Sequence, residues 1–69
     1  MNNIMHYRKS MNWTQKELAE QLGVNQSTIS QIERGTISPS VIMLKSLSEL
    51  FKATAGQIIG LEPVETSRI

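Results

Sequence analysis

The sequence predicts an all-α fold, five helices around one core. Three observations carry that prediction. Two capping boxes, Thr14 with Glu17 and Thr54 with Gln57, mark helix starts at which side chain and backbone satisfy each other's free groups. Gly23, Gly35 and Gly60 fall where helices would stop, because glycine takes the left-handed backbone without a Cβ penalty. Between these signals apolar residues recur at the spacing of a helix face. The 69 residues make one domain. A chain of this size buries only about 60% of its unfolded surface, so stability is expected to be marginal and self-association would help.

Ile4 and Tyr7, with Met11 as a third member, make the inner stripe of a first helix from about Asn2 to Met11, ended near Asn12. The second helix opens at Thr14, with Trp13 and Leu18 at the positions of a hydrophobic staple. Leu18, Ala19 and Leu22 repeat along it until Gly23. The third opens at Asn25, a favoured N-cap, with Val24 and Ile29 again at staple positions, and ends at Gly35. Thr36 to Ser38 form a loop. Pro39 suits the first turn of a fourth helix, with Ser38 or Ser40 as its cap. On that helix Met43, Leu44, Leu47, Leu50 and Phe51 share an arc opposite Lys45 and Glu49, which makes the arc core. The short fifth helix runs from the Thr54 box to about Ile59, weakened by Gly56 by ~1 kcal/mol relative to alanine and so dependent on packing. The domain is expected over residues 1–60. Residues 61–69, with Pro63 and several polar residues, read as a tail, partly disordered or contributing to a dimer contact.

The third helix carries the functional signal. At ~100° per residue Gln26, Ser27, Ser30, Gln31 and Arg34 fall within one arc, while Ile29 and Ile32 point to nearly the opposite side. Glutamine amides donate and accept together, as the adenine edge requires, and arginine can fork onto guanine or hold a phosphate. Serine permits close approach. A merely solvated face would ordinarily carry Glu and Lys, whereas this arc holds no acidic residue. Such a face is suited to reading double-stranded DNA.

The whole set resembles the Cro/CI-type (XRE-like) helix-turn-helix regulators of phages and bacteria, over about residues 4–60. The residues that carry the resemblance are Arg8, Thr14-Gln15, Glu17-Leu18-Ala19, Gly23-Val24, Ser27-Thr28-Ile29-Ser30, Ile32-Glu33-Arg34-Gly35 and Pro39-Ser40. The resemblance implies a five-helix, lambda-repressor-like domain whose helix-turn-helix is formed by helices 2 and 3. It implies that Gln15 touches a phosphate or base edge at the entry to the groove. Gln26, Ser27 and Gln31 would reach bases, and Ser30 and Arg34 would lie near bases or backbone. Arg8 and Glu33 would form an ion pair tying helix 1 to helix 3, a structural role. The resemblance also implies a dimer surface on the fifth helix and the loop after it, here Ile58, Ile59, Leu61 and Val64. One of the two isoleucines must still plug the core.

Charge and composition set limits. The formal net charge is only +1, yet six of the seven basic residues and four of the six acidic ones lie before residue 53. The excess therefore falls on the proposed binding part. Lys16 and Arg34 are the expected phosphate contacts, ahead of Lys9 and Lys45, and the helix N-termini at Gln15 and near Ser40 offer backbone donors. A modest salt dependence should follow. Where some phage repressors carry basic residues facing a narrow minor groove, this chain has Thr36-Ile37-Ser38, so reading of that groove by arginine is not expected. The chain has no cysteine, which removes disulfides and thiolate metal sites and fits a reducing cytoplasm. Its longest aliphatic or Met run, Val41 to Leu44, is far short of the ~20 residues needed to span a bilayer, and its start lacks the apolar core of a secretory signal. A cytoplasmic protein without a membrane partner is expected. His6 has no second ligand or catalytic companion; no metal, cofactor or catalytic residue is assigned.

The expected function is sequence-specific transcriptional regulation, most simply repression by a homodimer on a pseudo-palindromic operator, with RNA polymerase or a regulatory protein as a further partner. The competing reading is an antitoxin or antirepressor that neutralises another protein, with DNA binding secondary. An enzyme fails for lack of parts: clustered carboxylates, a nucleophile with its base, a phosphate loop and a metal set are all missing.

Overall fold

The computed structural model describes residues 2–62. Its five helices are α1 Ile4–Ser10, α2 Gln15–Leu22, α3 Gln26–Glu33, α4 Val41–Phe51 and α5 Ala55–Ile59, with no strand among the described residues. Ile4, Leu18, Ala19, Ile29, Ile32, Leu47, Phe51 and Ile58 form the buried core. Every helix contributes to it. Tyr7, Trp13, Leu22, Val24, Met43, Leu44, Leu50 and Ala53 pack around it half-buried. Aromatic rings close one end: Tyr7 stacks on Phe51 at 5.4 Å, and Trp13 lies tilted against the same ring at 6.3 Å.

Both predicted capping boxes are present in full. The Thr14 hydroxyl accepts from the Glu17 N–H at 3.0 Å while the Glu17 carboxylate accepts from the Thr14 N–H at 2.8 Å, and Thr54 with Gln57 repeats the exchange. All five helices then end on a left-handed residue, Asn12, Gly23, Gly35, Lys52 and Gly60. At each stop the following N–H returns to a carbonyl of the last turn: Trp13 to Arg8, Val24 to Ala19, Thr36 to Gln31, Ala53 to Ser48 and Leu61 to Gly56. That is the six-to-one bond of the Schellman motif.

Three boundaries differ from expectation. α1 begins at Ile4 because Asn2 and Asn3 are engaged elsewhere: Asn2 Oδ1 accepts from the Ile4 N–H and its Nδ2 donates to the Ile32 carbonyl. Asn3 donates its backbone N–H to the Ile58 carbonyl and its Nδ2 to the Gln57 carbonyl. At the other end Met11 is a cap residue, 44% exposed, and not part of the inner stripe. The Asn12 turn throws it outward, and Trp13 packs on the core instead. Pro39 precedes the α4 cap rather than entering the first turn, since the Ser40 hydroxyl accepts from the Met43 N–H. The α4 arc faces inward as predicted, with Lys45 and Glu49 exposed.

Candidate nucleic-acid interface

The position of α3 follows from α2. Leu18 and Ala19 seat α2 in the core, Gly23 turns the chain at φ 71°, and Val24 drops back onto the apolar cluster at the start of α3. Ile29 and Ile32, 1% and 2% exposed, then fix which way α3 faces. Gln26, Ser27, Gln31 and Arg34 are exposed and Ser30 is half-buried, so the polar arc read from the sequence is an outer surface. Lys16 is exposed on α2, and Gln15 is half-buried at its first position. Asn25 holds the extended backbone of an N-cap, but its side chain makes no capping bond. The Gln26 and Ser27 N–H groups have no partner among the described residues. They point donors outward from the start of the helix, where an anion is favoured.

Behind this surface lies the buried ion pair. Arg8 grips Glu33 with both ends of its fork, Nε to Oε2 at 2.7 Å and Nη2 to Oε1 at 3.2 Å. The side chains are 10% and 0% exposed. Arg8 Nη1 also donates to the Trp13 carbonyl at 2.8 Å, fixing the turn that launches α2. Glu33 Oε1 accepts a third bond, from Gln15 Nε2 at 3.0 Å. A bidentate arginine is the geometry that makes a buried carboxylate tolerable.

The remaining predicted residues fall in different settings. Ile58 has no exposed surface and is the isoleucine that plugs the core. Ile59 is half-buried and Leu61 is 81% exposed, while Val64 lies outside the described residues. Thr36, Ile37 and Ser38 are exposed in the loop after α3. His6 is exposed on α1, edge-on to Tyr7. Among the described residues no group of side chains is arranged to hold a metal ion, and no helix is long and apolar enough to cross a membrane.

The sequence pattern of the helix-turn-helix family matches residues 4–58, which span all five helices but the last residue of α5. The chain belongs to the Cro/CI-type helix-turn-helix regulators. Members of this family are DNA-binding transcriptional regulators. A helix-turn-helix regulator of Methanocaldococcus jannaschii is 38% identical over 50 residues, covering 72% of this chain and 76% of its own. One from Methanothermobacter thermautotrophicus is 48% identical over 40 residues, 58% of either chain. The transcriptional regulator AnsR of Bacillus subtilis is 32% identical over 62 residues; the match takes in 90% of this chain but 53% of AnsR. This chain thus spans little more than half the length of two of these three relatives.

Two features of the site escaped sequence reasoning. The Asn2 and Asn3 clamps join residues far apart in the chain, and Asn-Asn near a terminus carries no local signal for them. The bond from Gln15 to Glu33 crosses from α2 to α3 and depends on how the two helices pack.

Proposed function

We propose that this regulator reads a specific sequence of double-stranded DNA as a twofold dimer on a pseudo-palindromic operator, and represses by occupying a promoter. The carrying observation is the outer face of α3, where Gln26, Ser27, Gln31 and Arg34 stand exposed opposite two buried isoleucines. Polar side chains able to match base edges occupy a helix that an apolar seam holds rigid. Gln26, Ser27 and Gln31 contact bases in this reading. Ser30 and Arg34 lie beside them, and Lys16 with the first-turn N–H groups of α3 and α4 holds phosphates. The enterococcal relative BcrR, 35% identical over 63 residues, is named an activator. Binding beside a promoter would let this chain contact polymerase and activate. Repression remains the simpler consequence of occupancy.

In vitro selection of duplex DNA from random sequence, at two salt concentrations, tests the reading. A palindromic consensus with half-sites about one helical turn apart is expected. If each protomer's Lys16 and Arg34 neutralise one phosphate, the log–log salt slope should be roughly −3 to −4. Gln26→Ala or Gln31→Ala should weaken the selected site by ~1–3 kcal/mol and relax preference at one base pair. Undiminished specific binding by both single variants would refute the assigned face.

A further inference from the structure

We infer that Glu33 is a positioning residue for Gln15, which it orients as a reader of a base edge; the inference rests on α3 being the DNA-facing helix. Glu33 has no exposed side-chain surface, and both of its oxygens are engaged by Arg8. Its Oε1 nonetheless accepts a further hydrogen bond, from Gln15 Nε2 at 3.0 Å. An ionised carboxylate only accepts, so it fixes which end of the amide faces it. The NH2 group turns toward Glu33 and the carbonyl oxygen turns away.

One amide proton is consumed by that bond. When Glu33 engages the N–H on the Cγ side, the other N–H and the carbonyl oxygen stand side by side as an adjacent donor and acceptor. That pair matches the adenine edge, which offers an N6 donor beside an N7 acceptor. A phosphate could use only the proton and would be repelled by the oxygen. The fixed amide therefore favours a base over the backbone.

The placement agrees. At ~100° per residue Glu33 lies about 20° from the azimuth of Gln26, at the border between the polar arc and the buried Ile29 side. Hydrogen bonding to Glu33 brings the start of α2 to the flank of the reading surface, one turn beyond Ser30. Arg8 completes the unit by neutralising a carboxylate that would otherwise repel phosphates.

The test compares the wild-type chain with Gln15→Met, Glu33→Gln and the double variant on the selected operator and on every single-base substitution of it. Gln15→Met should keep its melting temperature and lose preference at one position per half-site, about fivefold or more. Glu33→Gln should lose preference at that same position and keep the others. In the Gln15→Met background Glu33→Gln should change preference nowhere by more than about twofold. An uncoupled, uniform weakening by Glu33→Gln would overturn the inference, as would a Gln15→Met variant with unaltered preferences. Because Glu33→Gln could unfold the chain, side-chain ¹⁵N relaxation of the wild-type protein gives a second measurement. The Gln15 amide should be nearly as ordered as the backbone, S² around 0.8, whereas a value below about 0.6 would refute the inference. Failure of the wild-type chain to select any sequence would overturn the reading of α3 and this inference with it. A selected site indifferent to Glu33 overturns this inference alone.

Discussion

A carboxylate with no exposed surface is among the least forgiving residues a small domain can carry. Glu33 is tolerated because Arg8 reaches it with two bonds, and removing either partner strands a charge in the core. Glu33→Ala is expected to cost ~3–5 kcal/mol. In a domain this small, thermal denaturation should register a fall of at least about 12 °C. The resemblance implies this pairing, and Arg8 Nε lies 2.7 Å from Glu33 Oε2. Lys52 is the opposite case. It closes α4 at φ 53°, a conformation that costs a side-chain-bearing residue about 1–2 kcal/mol and that no lysine advertises in a sequence. Lys52→Gly relieves the strain while making the unfolded chain more flexible, so a net gain of roughly 0.5–1 kcal/mol is expected, read as a higher melting temperature.

At the scale of the helix, the ends matter more than the middles. Helices of five to eleven residues are too short to persist alone in water, so capping and burial must carry them. Thr14→Ala removes one half of a reciprocal box and should cost ~1 kcal/mol of stability. Gly23→Ala meets no atom within 4 Å, so its penalty should be that of the left-handed backbone alone, ~1–2 kcal/mol, with no loss from crowding. Denaturant melts of the two variants check both values. The starts and stops of α2 and α5 were legible because their signals are local: a cap and its partner stand three residues apart, and a glycine marks its own turn. The start of α1 was not legible, since Asn2 and Asn3 find partners 30 and 54 residues away. For the same reason the reading face of α3 was evident within one eight-residue segment, while the Gln15 bond to Glu33, 18 residues apart, required the packing of two helices.

For the whole molecule, the proposed dimer needs a surface on which two copies meet. Leu61, 81% exposed just after α5, is the most accessible of the described apolar residues proposed for the dimer. Leu61→Ser should therefore leave the melting temperature of dilute protein unchanged and reduce both dimerisation in sedimentation equilibrium and affinity for a full palindrome. Affinity for a half-site should persist. Unaltered association would exclude this residue from the contact. The fold itself closes on a bond between its extremes, from the Asn3 N–H to the Ile58 carbonyl. The order of synthesis gives that closure a consequence. While a ribosome is still making the chain, the Asn3 clamp on the first helix cannot form until Gln57 and Ile58 have emerged, well after the Ile32 carbonyl that holds Asn2. The five-helix core therefore stays open at that seam until α5 has been made.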